Sequence, residues 1–256
     1  MLNSLLRRTS RRAARYLHQH ILPLQGTNSV VSFTFDDAPA SACSTGAQIL
    51  TSYGAHGTFY VAGGLTDQLE EGHACHSIAQ LSALLAAGHE LGCHSFSHVH
   101  CDTLSTSDLK NELTKNANFL ATLGVDPHNL NFAYPFGAYG LGAKSVCAQR
   151  FRSARITGGG PHIGKVDLQA LQTFRLYQDS SANTGITTFE EALALTVRHH
   201  GWLILNTHDI ETRPSRYGYT PENLDKVVAA SVAAGCKILS ISEAINYWQS
   251  QHRANV

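Results

Sequence analysis

The chain has 256 residues, 43% of them hydrophobic and 15% charged, which is enough apolar material for one large folded domain and excludes a disordered chain. Nineteen lysines and arginines balance nineteen acidic residues, so there is no global basic charge to argue for nucleic-acid binding. The balance is uneven: Arg7, Arg8, Arg11, Arg12 and Arg15 precede the first acidic residue, Asp36, and setting those five aside leaves 14 basic against 19 acidic residues, a net near −5.

The basic start mixes Leu2, Leu5, Leu6, Tyr16 and Leu17 with the arginines and holds no apolar run of export-signal length. Residues 1–27 are expected to be a basic N-terminal extension, solvated or a short surface helix, with peripheral contact to anionic lipid as the alternative. Residues 28–256 are expected to be a single domain. Six cysteines lie scattered without a Cys-x-x-Cys pair. Reduced buried thiols and a cytoplasmic location, with the inner membrane face as its peripheral variant, are the expectation.

Val30–Phe35 reads as the first strand, followed by a helix over Ser44–Tyr53 closed by Gly54 and a strand at Gly57–Val61. Ser77 and Gln80 have capping-box spacing, predicting a helix through Ala87 that Gly88 ends. His89–His94 is the third strand. Ser105 and Asp108 open a longer helix to about Leu123, stopped by Gly124 and Pro127. Asn131–Tyr134 is a fourth strand cut by Pro135, then come a helix over Leu141–Gln149 and a strand at Ser153–Thr157. Gly158-Gly159-Gly160-Pro161 marks a loop. Leu171–Leu176 reads as a strand, Thr188 and Glu191 cap a helix ending at Gly201, and Trp202–Asn206 is an apolar strand. Thr220-Pro221 starts a helix with proline in its favoured first position. A strand at Lys237–Ile241 and a helix from Ser242 to Gln249 complete the series. Strands alternating with helices through right-handed crossovers predict an α/β fold, a distorted (β/α) barrel of about seven parallel strands with outer helices. It is preferred to an open doubly wound sheet because a barrel gathers its strand C-terminal ends into one mouth.

Asp36, Asp37, His94, Tyr134 and His208 fall at or just past such ends. Adjacent carboxylates repel each other, and a cation beside them relieves that cost, although Asp-Ala-Pro also suits a plain turn. His94 and His98 share a face if the backbone turns helically, which suits chelation. His100 and Cys101 leave a different pair open, and His73-Ala74-Cys75-His76 is a second cluster in a polar loop. One carboxylate and two imidazoles keep positions open for water and substrate, while the second carboxylate is free to act as a base. His208 is placed to protonate a leaving amine, with Asp209 or another carboxylate orienting its ring. Tyr134-Pro135-Phe136-Gly137 is a tight turn whose N–H groups suit a developing oxyanion.

In this order the motifs resemble the polysaccharide deacetylase family, carbohydrate esterase family four or NodB homology domain. Thr34-Phe35-Asp36-Asp37-Ala38 is similar to the first motif of that family, Thr-Phe-Asp-Asp-Gly, and His94-Ser95-Phe96-Ser97-His98 to its second. Ala133–Gly137 resembles the third and Asn206–Asp209 the last; the fourth, an Asp-x-x-Asp-Trp-like element, has no clear counterpart. The resemblance implies a distorted, often seven-stranded barrel and a divalent metal, usually zinc (Zn2+), held by Asp37, His94 and His98. It implies Asp36 as the base toward water, His208 as the acid toward the departing amine and the backbone N–H near Phe136 as an oxyanion donor. The implied substrate is an N-acetylated saccharide that loses acetate. Ala38 stands where glycine is usual, Ala133 where many members carry an arginine, and Asn206 where a leucine usually lines the acyl pocket. Arg155 is expected to replace the missing arginine from a neighbouring strand. Asn206 leaves hydrolysis of a non-sugar amide or formamide open, and a non-catalytic glycan-binding barrel is the other alternative.

Overall fold

The computed structural model describes residues 2–70, 72–178, 183, 185–186 and 188–254, with side chains from residue 8 onward; Met1 and the Arg7 side chain lie outside them. In chain order its first elements are α1 (Leu2–Ala14), β1 (Ile21–Pro23), β2 (Val30–Phe35), α2 (Ala47–Ser52), β3 (Thr58–Val61), β4 (Leu69–Glu70), β5 (His73–Ala74), α3 (Ile78–Ala86) and β6 (Glu90–Cys93). Then follow α4 (Thr106–Thr122), β7 (Asn131–Ala133), α5 (Leu141–Ala148), β8 (Ser153–Arg155), β9 (Lys165–Asp167) and β10 (Phe174–Arg175). The chain ends with α6 (Phe189–Arg198), β11 (Trp202–Thr207), α7 (Pro221–Ala233), β12 (Lys237–Ile238) and α8 (Ile241–Ala254).

Seven strands make a parallel sheet in the order β10-β11-β2-β3-β6-β7-β8, with β12 beside the start of β2. Leu171 donates its N–H to Ala154 and accepts from Ile156. The segment entering β10 therefore touches β8 at the far edge, and the sheet curls into a distorted barrel wrapped by helices. The strand expected at Leu171–Leu176 is split by this: Leu171 bridges Arg155, and only Phe174–Arg175 pair with β11. The strand expected at Lys237–Ile241 stops at Ile238, because Ser240 and Glu243 form a reciprocal cap that starts α8. The first crossover helix opens as a wider π turn over Ala42–Gly46. Elsewhere the predicted caps are in place: Ser77 with Gln80, Ser105 with Asp108, Thr188 with Glu191, and Thr220 ahead of Pro221.

β2 and β11 are buried on both faces, as parallel strands under helices must be. Parity divides their side chains. Val31, Phe33, Phe35, Leu203 and Leu205 join the large apolar layer beneath the helices. Ser32, Thr34, Asp36, Asn206 and His208 have the opposite parity and run along the barrel interior. A smaller cluster around Val30, Trp202, Ile204 and Trp248 closes the strand N-terminal ends with α8.

The N-terminal segment is fastened to this body. Ser10 Oγ accepts from the Leu141 N–H at the start of α5, Arg11 Nε donates to the Tyr139 carbonyl, and buried Lys144 donates to the Ala14 carbonyl. β1 pairs antiparallel with β9. Contact with anionic lipid, the alternative reading of this segment, gains no support from this arrangement, which turns Arg11 onto the protein. Among the described residues no helix is long and apolar enough to cross a membrane. All six cysteines are buried and unpaired.

Candidate metal centre

Asp37, His94 and His98 converge at the barrel mouth, one ligand atom from each lying within 4.8 Å of the others. Asp37 Oδ1 is 3.5 Å from His94 Nε2 and 3.2 Å from His98 Nε2. His94 Nδ1 lies 2.8 Å from the Ala133 carbonyl. A carbonyl only accepts, so Nδ1 carries the proton and the Nε2 lone pair faces Asp37. His98 repeats the arrangement, its Nδ1 donating to Glu70 Oε1 at 3.0 Å.

Burial pushes His94 down to about 3, which keeps the ring neutral. Burial also lowers His98, but the Glu70 hydrogen bond and the Asp37 charge outweigh it and raise that ring above its ordinary value. Burial, helped by Glu70 and Asp36, raises Asp37 to about 6 against the pull of His98 and His208. Asp37 Oδ1 is buried without a hydrogen-bond partner among the described residues. Two bare imidazole nitrogens and an orphaned carboxylate oxygen aimed at one point fit a divalent cation.

Asp36 lies buried beside this group and its Oδ1 accepts from Arg155 Nη2. Arg155 pairs with Ala133 in the sheet register, so the guanidinium reaches Asp36 from one strand beyond the position that lacks an arginine. It is fully buried, 4.8 Å from the centroid of the Tyr60 ring. Burial would raise the Asp36 carboxyl; Arg155 first, then His94 and His208, overcome that and hold it at about 2.

His208 closes β11 with its Nε2 3.6 Å from Asp37 Oδ2. Its ring packs against Tyr177 and Tyr217, with centroids 5.7 and 5.4 Å away. The expectation that Asp209 or another carboxylate orients this ring is corrected: Asp209 accepts from the Ser215 N–H and hydroxyl, and His208 Nδ1 has no hydrogen-bond partner of any kind among the described residues. Phe136 sits in the turn Pro135–Gly137 with left-handed backbone, φ +59°, and its ring stacks on His100 and tilts over His98. His100 is thereby a packing residue, and buried Cys101 does not reach the centre. Asn206 is fully buried, accepting from Thr173 and donating to the Tyr177 hydroxyl. Tyr177, not Asn206, lines the pocket, whose volume is about 450 Å³. Ala38 has φ +48°, the left-handed region where glycine carries no Cβ penalty.

Glu70, Tyr177 and Tyr217 were not found by sequence reasoning. Glu70 comes from the β4–β5 hairpin inserted after β3, and no local spacing ties it to His98. The loop cluster at 73–76 divides: His76 turns inward to the carbonyls of Asp37 and Ala38. His73 faces Asp209 and Glu211 at 3.9 and 3.6 Å, a second group able to hold an ion.

Residues 25–149 match the polysaccharide deacetylase family. A bifunctional xylanase/deacetylase of Pseudobutyrivibrio xylanivorans is 31% identical over 106 residues, which is 40% of this chain and 16% of that protein; the chain thus spans about a sixth of that relative's length. The Xyl-CE4 domain of a multidomain xylanase from the hindgut metagenome of Trinervitermes trinervoides superposes with a TM-score of 0.55 at 19% identity, covering 86% of this chain and 91% of that one. Peptidoglycan deacetylase PdaC from Bacillus subtilis gives 0.55 at 18% identity, covering 89% and 95%. A CE4 family pseudoenzyme from Bacillus anthracis gives 0.57 at 18%, covering 85% and 66%. At these identities the structural likeness shows a shared fold.

Proposed function

With residues 25–149 placed in the polysaccharide deacetylase family, we propose that the chain is a zinc-dependent hydrolase that removes N-acetyl groups from an amino-sugar saccharide. The observation that carries this reading is the convergence of Asp37 Oδ1 with the bare Nε2 atoms of His94 and His98, with Asp36 and His208 beside them. A divalent cation held by Asp37, His94 and His98 would polarise the acyl carbonyl and acidify water.

Asp36, kept ionised by Arg155, accepts a proton from the attacking water. The water oxygen bonds to the acyl carbon, the C–N bond breaks, and His208 gives a proton to the nitrogen, so acetate and a free amino sugar leave. The N–H at Phe136 is assigned to the oxyanion. Arg155 acts through Asp36 and is a positioning residue.

Asn206 does not weaken the acetyl reading, because its amide is engaged by Thr173 and Tyr177 beneath the pocket wall. The complete set of two aspartates and two histidines speaks against a purely binding role. Acetate release from N-acetylglucosamine, its 1-phosphate and its short oligomers tests the reading on chelator-stripped and zinc-reloaded protein. Activity is expected to return with zinc, and Asp36→Asn to lower kcat by about 10²–10⁴-fold. No acetate from any of these sugars with zinc-loaded protein refutes it.

A further inference from the structure

A second cavity, of about 580 Å³, lies beside the active-site pocket and shares Phe136, Thr157 and Arg175 with it. Arg11 and Arg15 from α1 and Lys165 from β9 also line it. These three cations have no acidic partner among the described residues. Asp167 is the acidic group on the wall, and its carboxylate is already engaged: Lys144 Nζ donates to Oδ2 at 2.6 Å, and the N–H groups of His20 and Gln169 donate to Oδ1 at 3.0 Å. Burial holds His162, on the same wall, down to about 4, so it stays neutral.

Gly158, left-handed at φ +81°, brings bare backbone against the Arg175 guanidinium; a Cβ there would come within 3.0 Å of Nη2. Arg175 itself donates to Thr157 Oγ1 at 3.3 Å and forms wall in both cavities. Like charges gathered around one space repel one another, and an anion entering it removes that cost. A neutral glycan offers nothing to these groups, whereas a phosphoryl oxygen triad meets cations from several directions. The shared wall limits the anion to the sugar that presents its acyl group or to that sugar's immediate neighbour.

We propose that this cavity is an anion subsite for a phosphoryl or diphosphoryl group carried by the amino-sugar substrate. The sugar part of this assignment rests on the deacetylase reading above; the anion part rests on the cavity alone. A nucleotide or a polyprenyl carrier would present the same diphosphate.

Arg15 and Lys165 are exposed and make no side-chain hydrogen bond among the described residues, so the double variant Arg15→Ala/Lys165→Ala keeps the fold. Calorimetric titration with inorganic pyrophosphate is expected to show saturable binding to the wild type, weakened about tenfold or more, ~1.4 kcal/mol, in the double variant. In acetate release, kcat/KM for N-acetylglucosamine 1-phosphate is expected to exceed that for N-acetylglucosamine by about tenfold, the ratio falling toward one in the variant. Nucleotide-diphosphate and short prenyl-diphosphate forms of the sugar, compared in the same assay, separate the two carriers. Absent pyrophosphate binding, equal binding by both proteins, or equal kcat/KM for charged and neutral sugar overturns the subsite. Pyrophosphate binding lost in the variant, with no acetate from any sugar, refutes the deacetylase reading and leaves the anion site standing.

Discussion

The Glu90 network at the floor of the barrel and the metal centre at its mouth treat their buried ionisable groups in opposite ways. At the floor, Glu90 accepts from the Thr58 hydroxyl, the Asn131 amide, and both the N–H and the hydroxyl of Ser242. Ser153 donates to Asn131 Oδ1, and the Ile241 N–H donates to Thr58 Oγ1. That network joins β3, β6, β7, β8 and the start of α8 with each carboxylate oxygen matched. At the mouth, Asp37 Oδ1, His208 Nδ1, and Arg155 Nε and Nη1 are buried with no partner among the described residues. Five of the eight described non-glycine residues with left-handed backbone gather there: Asp37, Ala38, Ser95, His98 and Phe136. A chain that saturates the carboxylate network around Glu90 and leaves the ionisable groups of the mouth open and strained reserves the open end for reactants.

The contrast can be broken most forcefully at the floor. Glu90→Ala leaves several donors unmatched and is expected to cost about 2–4 kcal/mol in urea unfolding, with activity per folded molecule largely kept. A loss below about 0.5 kcal/mol, the level of an ordinary surface change, would remove the floor's special standing.

At the mouth the sign reverses. Burial raises the Asp37 carboxyl from 3.8 to about 6, so the metal-free fold prefers the protonated form and loses stability as pH rises through that window. Asp37→Asn cannot ionise. At pH 7 it is expected to be more stable than the metal-free wild type by about 1–3 kcal/mol, with a flatter stability profile between pH 4 and 6 and no bound zinc.

A smaller displacement follows from Arg155. The Asp36 carboxyl is held at about 2 by that guanidinium against burial, and the stability it contributes above pH 3.8 is lost only as pH falls toward that value. In Arg155→Ala burial is no longer opposed and the carboxyl titrates higher. The acid limb of kcat/KM then moves up by about 1–3 pH units, and an unmoved limb would deny Arg155 its positioning role. Smallest is Ala38→Gly, which releases a left-handed alanine at φ +48°. A gain of about 0.5–1 kcal/mol is expected, and thermal unfolding would read it.

What was legible in the sequence was what is written locally. Caps such as Ser77 with Gln80 lie three residues apart, and the helices start where they indicate. Asp36-Asp37 and His94-x-x-x-His98 each carry their chemistry within one turn, and the parallel fold brings the two segments together because β2 and β6, which flank β3, both end at the barrel mouth. Arg155 was reachable because the next strand places it in register with Ala133. Glu70, Tyr177 and Tyr217 were not legible, since their approach depends on a hairpin and loops whose paths have no periodic signal. The run at Leu171–Leu176 misled because its apolar content is shared between two neighbours, β8 and β11, and a pattern of burial does not say which strand covers it.

The most direct measurement is an anomalous difference map at the zinc absorption edge from crystals grown with zinc. A single strong peak ligated by Asp37, His94 Nε2 and His98 Nε2 is the expected result. An empty site there, or zinc bound instead by His73, Asp209 and Glu211, would contradict the account.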